Sequence, residues 1–216
     1  MRSTAPSACR RASARPGLRG IADGLAFLVR TPVVRGALLT DLAAMVLSMP
    51  TSLFPLVNAE RFGGSPRTLG LFLTAIAVGG VAASVFSGVF TRLPRPGMVM
   101  LAGSAAWGLS LTLFGLTTDP WLGLGFLTLA GAADTVSVVS RSTVVQLHTP
   151  DELLGRVAAA EQIVGQAGPD LGNVRAGLVA APTSALASLV SGGLLCVAAV
   201  AAVTMTTPSL RRFALK

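Results

Sequence analysis

The stretch GQAGPDLGNVRAGLVAA, residues 165–181, decides how the rest of the chain is read. It has the length and small-residue content of a membrane span, yet it holds Asp170, Asn173 and Arg175 close together. At 3.6 residues per turn, Gln162, Gln166, Asp170 and Asn173 fall within about 80° of one another, so the segment around 157–180 carries one polar stripe. Ile163, Val164, Ala167, Leu171, Val174 and Leu178 make an opposed apolar face. Gly165, Gly168 and Gly172 form a third face, with Glu161 and Arg175 on the same side, and Pro169 interrupts backbone hydrogen bonding near the middle. The pattern predicts a helix with one face for lipid or apolar protein, one for close helix packing, and one for a wet or substrate-filled space.

Composition extends this reading outward. The chain has 216 residues, 52% hydrophobic and 12% charged, and a mean hydropathy of +0.70. Soluble domains carry about 25% charged residues. Half that content, with apolar residues in long runs, predicts an all-α polytopic membrane protein. The net charge of +8 does not indicate nucleic acid, because the arginines lie between the apolar runs. Cys9 and Cys196 fall in a polar tail and an apolar run, which predicts neither a disulfide framework nor a metal site.

Six stretches have span length: about 36–58, 68–91, 97–117, 121–146, 157–180 and 184–206. They form a transmembrane domain over 36–206. The breaks are short and rich in turn residues or charge, as in ERFGGSPR at 60–67 and HTPDELLGR at 148–156, so consecutive helices are antiparallel neighbours. Residues 1–20 read as a basic disordered tail or linker remnant, 21–35 as an amphipathic segment with Ile21, Leu25 and Leu28 on one face, and 207–216 as a basic tail. Arginine sets the orientation. Arg2, Arg10, Arg11, Arg15, Arg19, Arg30, Arg35, Arg92, Arg95, Arg156, Arg211, Arg212 and Lys216 fall on one side and only Arg61 and Arg67 on the other. Both termini are therefore expected in the cytoplasm of a protein of the plasma (inner) membrane.

Ionisable residues inside spans are costly and face protein or water. Asp41, Asp134, Glu161, Asp170 and Arg175 all fall there. Asp41 shares a face with Ser48 and Ser52, ahead of Pro50 and Pro55, which are expected to bend the outer half of the first span. Asp134 and Arg141 share a face two turns apart, linked through a water or a neighbouring helix unless Arg141 snorkels to the surface. Gly80, Ser84 and Gly88, and Ser184, Ser188, Gly192 and Cys196, recur at packing intervals. The third span is almost wholly apolar and is expected to have broad lipid contact; Trp121 is expected at an interface. No enzyme constellation is present: His148 is the single histidine, in a loop, and there is no glycine-rich phosphate loop with a lysine. No cofactor is called for.

RSTVVQLHTPDELLGRVAAAEQIVGQAGPDLGNVRAG, residues 141–177, resembles the loop and eleventh helix of major facilitator superfamily transporters, in the subgroup similar to the enterobactin exporter. The residues carrying the loop motif are Gln146, Thr149, Pro150, Asp151, Gly155, Arg156 and Val157. SGVFTRLPRPGMVML at 87–101 is similar to the loop between helices eight and nine, with Gly88 kept but Arg92 and Leu93 in place of the acid and arginine. TPVVRGALLTDLAAM at 31–45 is similar to the approach to helix seven. The resemblance implies that the six spans are helices seven to twelve, the C-terminal half of a transporter whose site lies between two halves. It implies cavity-lining roles for the first, second, fourth and fifth spans, with the third and sixth peripheral. Asp41, Asp134 and Asp170 then lead the candidates for proton coupling or substrate contact, beside Gln162, Gln166, Asn173 and Arg175. The implied function is proton-coupled export of small molecules, siderophore or drug-like, by alternating access in a lipid bilayer with an N-terminal half or a second copy. The alternative is a non-transporting accessory protein or an inactive truncated fragment.

Overall fold

The computed structural model describes residues 18–212, and the tails expected at 1–17 and 213–216, Cys9 and Lys216 included, lie outside it. The described residues form helices throughout: α1 Leu18–Arg30, α2 Pro32–Ser48, α3 Phe54–Arg61, α4 Pro66–Val85, α5 Ser87–Phe90, α6 Pro96–Leu116, α7 Pro120–His148, α8 Leu154–Ala180, α9 Ala185–Thr206 and α10 Pro208–Arg212. Proline opens α2, α4, α6 and α7 within their first two positions, where its missing N–H costs nothing. Asp119 caps α7 by accepting from the Trp121 and Leu122 amides at 2.8 and 3.0 Å, and Ser184 caps α9 by accepting from Ala187. Gly63 and Gly64, at φ of 78° and 69°, make the turn between α3 and α4.

Five helical segments among the described residues are long and apolar enough to cross a membrane: Pro32–Arg61, Pro66–Val85, Pro96–Leu116, Pro120–His148 and Ala185–Thr206. Of the six expected spans, the fifth, α8, falls outside this apolar set. Helix α8 has 27 residues, about 40 Å at 1.5 Å per residue. Its charged and amide side chains keep it out of the apolar set, yet it packs among the others, against α2, α9 and α1. The first span is broken, as its prolines predict: α2 ends at Ser48, a 3₁₀ turn covers Thr51–Leu53, and α3 follows. The second span is also interrupted, with α4 ending at Val85 before the single turn α5.

The third span overturns its expectation of broad lipid contact. Of the apolar window in α6, 61% is buried, against 22% for α4. Helix α6 is the spine of the bundle, packed on α7, α9 and α2, with Trp107, Leu111 and Phe114 in the core. An all-round apolar helix suits a protein interior as well as lipid. Helix α4 packs through Phe72, Ala75, Gly79 and Ala83 instead of the Gly80–Ser84–Gly88 row, whose Ser84 and Gly88 are exposed. Gly79 and Gly131 lie at the α4–α7 crossing, where a Cβ on either would run into the carbonyl of Thr128 or Ile76. The other small-residue row holds: Ser188, Gly192 and Cys196 are buried on α9.

At the end of the bundle carrying the α3–α4 turn, Phe54, Phe62, Phe72 and Phe114 form an aromatic cluster with centroids 5.3–6.2 Å apart. Arg61 donates to the Gly115 and Thr117 carbonyls, both at 3.2 Å, and so closes the C-terminus of α6. Trp121 is 79% exposed beside it. At the opposite end α1 does more than lie on a surface. Leu28 is fully buried with Val34, Val145, Val157 and Ala160, while Leu25 stays exposed; the Ile21 side chain lies outside the described ones. Leu210 of α10 is buried too, tucking the described part of the C-terminal segment against Gly36 and Gly97.

Candidate functional site

Three helices bring ionisable side chains together inside the bundle. Asp41 comes from the middle of α2, Arg141 from α7 and Glu161 from α8. Arg141 Nη1 lies 3.0 Å from Asp41 Oδ2 and 3.7 Å from Glu161 Oε1. The side chains of Arg141, Asp41 and Glu161 are 10%, 7% and 19% exposed. Arg141 therefore does not snorkel; a neighbouring helix supplies its partner, Asp41, in place of Asp134 on its own face. The contact is ionic without hydrogen-bond alignment, since Asp41 Oδ2, Glu161 Oε1, and Arg141 Nε and Nη1 make no hydrogen bond among the described residues. Burying two carboxylates around one guanidinium leaves one negative charge without a cation, which a low-dielectric interior penalises.

Asp41 also lines a cavity of about 180 Å³, together with Met45, Met49, Ser104, Trp107, Asp134, Ser137 and Pro169. Its polar wall is internally paired. Ser104 and Ser137 share a hydrogen bond of 2.7 Å. Trp107 Nε1 donates to Ser48 Oγ at 2.8 Å, which donates to the Ala44 carbonyl at 2.7 Å. Asp134 opens onto this space as an exposed carboxylate. A second cavity, about 700 Å³, lies between the end of α7 and the start of α8, lined by Thr143, Gln146, Gly155, Ala158 and Glu161 among others.

The polar stripe of α8 divides. Gln162, Gln166 and Asp170 are exposed, whereas Asn173 and Arg175 are partly buried. Asn173 Oδ1 accepts from the Ser52 amide at 3.1 Å, and its carbonyl takes the Ser52 hydroxyl at 3.4 Å. Arg175 donates to the Leu47 carbonyl at the end of α2. Both side chains thus satisfy backbone groups around the break at Met49–Pro50, so the structure ties them to the helix break and not to the acids. The glycine face meets α2 as drawn from the sequence at Gly168 and Gly172, which lie on Met45 and Met49, but Gly165 faces open space.

The loop motif is structural at its first half. Thr149 closes α7, its amide bonding the Gln146 carbonyl at 3.3 Å and its hydroxyl the Val145 carbonyl at 2.7 Å. Pro150 opens a turn in which its carbonyl accepts from Leu153. Asp151 is exposed, and Gln146 and Gly155 line the larger cavity. Arg156 pairs with Asp23 of α1 at 3.0 Å, and Gly24 sits against the Arg156 carbonyl where a Cβ would not fit.

Asp41 and Asp134 thus share one cavity, while Asp170 stands apart. The residues that sequence reasoning passed over are Arg141 and Glu161. Each was seen as an ionisable group in a span, and neither was joined to Asp41, because their contacts run between segments 100 and 120 residues away from it. The signal in the sequence was their shared depth: acid, arginine and acid each lie well inside a long helix.

A family model described as transmembrane secretion effector matches residues 9–214. Curated proteins named Enterobactin exporter EntS, from Escherichia coli O1:K1, E. coli O139:H28 and Shigella boydii serotype 18, are 32% identical over 154 residues. That region covers 69% of this chain and 36% of each relative, so the match spans about a third of the relatives' length. No solved structure matches.

Proposed function

We propose, from the premise that this chain belongs to the transmembrane secretion effector family of the major facilitator superfamily, that it forms the C-terminal six-helix half of a proton-coupled exporter. The family is one of multi-pass membrane transporters and not of enzymes. The exported molecules are small, of siderophore or drug-like class, as the name of the similar exporters suggests. Helix α8 acts as the fifth of six spans, its exposed Gln162, Gln166 and Asp170 turned to the space shared with an N-terminal half or a second copy. Both termini and the α7–α8 loop lie on the cytoplasmic side of the inner membrane, and the motif of Gln146, Thr149, Pro150, Asp151, Gly155 and Arg156 holds that end of the bundle.

The single observation that carries the reading is the buried Asp41–Arg141–Glu161 cluster beside a cavity onto which a further acid, Asp134, opens. Such groups are too costly within a bilayer to be kept for packing alone, and alternating access needs a site of this kind near the midplane. The test is efflux from proteoliposomes containing the protein as its host produces it. An imposed pH gradient is expected to drive export of a catecholate siderophore or a lipophilic dye, and Asp41→Asn or Asp134→Asn is expected to abolish the drive. Export that ignores the gradient, or survives both changes, would sink the proton-coupled reading; no export of any probe would leave an accessory role.

A further inference from the structure

Resting on the proton-coupled reading above, we propose that Glu161 is the group that carries the coupling proton, released through the cavity beside the α7–α8 loop, and that Arg141 is its electrostatic latch to Asp41. The argument is one of charge and access. Arg141 is closer to Asp41, at 3.0 Å, than to Glu161, at 3.7 Å. Asp41 is also the more deeply buried of the two acids. One guanidinium neutralises one carboxylate, so in this arrangement Glu161 is the acid left over. Its Oε1 is buried with no hydrogen bond among the described residues.

Access separates the two acids further. Glu161 lines the cavity of about 700 Å³ at the Gln146–Gly155 end, and Asp41 lines the one of about 180 Å³ with Asp134. The first has room for several waters, which take the proton from Glu161 without passing Arg141. The guanidinium touches both acids and lines neither cavity. With Glu161 neutral, Arg141 is bound by Asp41 alone and α8 is released from α7. With Glu161 ionised, the arginine is shared and α2, α7 and α8 are drawn together. The proton reaches Glu161 as hydronium while the site faces the other side, leaves to water through that cavity once the site faces the cytoplasm, and Arg141 stays charged throughout.

Among the described side chains, those around Glu161 include no rival cation. Helix α7 presents Arg141 and, farther along, Asp134; α2 presents Asp41. Helix α9 contains no charged residue. On α1, Asp23 is engaged with Arg156 of α8, and Arg30 and Arg35, at the start of α2, are exposed. Asp170 and Arg175 lie two and four turns farther along α8.

Infrared difference spectra of the full-length protein in lipid nanodiscs, across a pH step, read this directly. A protonated-carboxyl band is expected in the wild type, unchanged by sodium, lost in Glu161→Gln, displaced in Glu161→Asp, and retained in Asp41→Asn. A band that persists in Glu161→Gln, or that sodium abolishes at fixed pH, overturns the proposal. Transport by the same samples separates this inference from the one beneath it. Loss of the band in Glu161→Gln where wild-type transport ignores the pH gradient supports the proton site and fails the exporter reading. Gradient-driven transport with the band untouched in Glu161→Gln fails the site alone. If Glu161→Gln does not fold, the displaced band of Glu161→Asp decides.

Discussion

Gly165 and Gly172 stand two turns apart on α8 and look alike in sequence, but only Gly172 is locked in place. A Cβ there meets the Met45 carbonyl, and the Met49 side chain at 2.7 Å; at Gly165 it meets nothing within 4 Å. Gly172→Leu is expected to lower stability by about 1–3 kcal/mol or more through overpacking. Gly165→Ala is expected to be neutral or to add about 0.5–1 kcal/mol by restricting the unfolded helix. Thermal unfolding in detergent, followed by the fluorescence of buried Trp107, distinguishes the two. Arg141 sets a second contrast. Arg141→Met leaves two buried carboxylates facing each other and is expected to cost about 3–5 kcal/mol, while Asp41→Asn with Arg141→Met costs less than the single change because a charge leaves with its partner. A double-mutant cycle by chemical denaturation checks the sign; a loss in the double variant equal to the sum of the two single losses would mean that the pair is not coupled. The ionisable residues were visible in the sequence as individuals. Their partners were not, because the register that brings Asp41 to Arg141 belongs to the packing of α2 on α7.

At the scale of elements, the break in the first span shows how far local reading carries. Pro50 removes a backbone donor and its predecessor is pushed out of the helical region, so a bend was legible. What mends the bend was not, since Asn173 and Arg175 reach it from 121 and 128 residues away. Asn173 is a candidate substrate contact from its place on the polar stripe, and Arg175 from its place beside the glycine face. Along the stripe Gln162, Gln166 and Asp170 are exposed and Asn173 is partly buried. Asn173→Ala is expected to cost about 1 kcal/mol for the bond to the Ser52 amide, and hydrogen exchange should quicken at residues 51–53 with little change in α6. Arg175→Met should quicken the same turn by freeing the end of α2. Unchanged exchange there in both variants would return Asn173 and Arg175 to the candidate contacts.

The whole molecule is a bundle built around α6, and its two ends differ in chemistry. One end gathers the phenylalanine cluster, Arg61 and Trp121. The other gathers α1, the α7–α8 loop and α10, with the Asp23–Arg156 pair on its surface. That pair is half exposed and is expected to contribute less than about 1 kcal/mol. Arg156→Asp should therefore leave the unfolding temperature nearly unchanged, with reversal of both charges restoring any difference. Orientation has its own test. With Cys9 and Cys196 replaced by alanine, single cysteines at Leu93 and Asp151 should react with an impermeant maleimide only from the cytoplasmic face, and those at Gly64 and Thr118 only from the opposite face. Reaction of all four from one side would reverse the arginine-based assignment.

The sequence by itself determined the class of the protein: helical, membrane-spanning, with acids kept inside its spans and a break at the prolines of the first. These follow from hydropathy, periodicity and backbone chemistry, all of which act over a few residues. Its motifs also pointed to the family. The tertiary structure alone decided which apolar helix is core and which stays largely uncovered, as α6 and α4 show, because lipid and protein interior reward the same side chains. It alone decided that Asp41, Arg141 and Glu161 form one cluster and that Asn173 and Arg175 serve a helix break, because ion pairs and hydrogen bonds between helices depend on rotation and depth set by packing across the whole bundle.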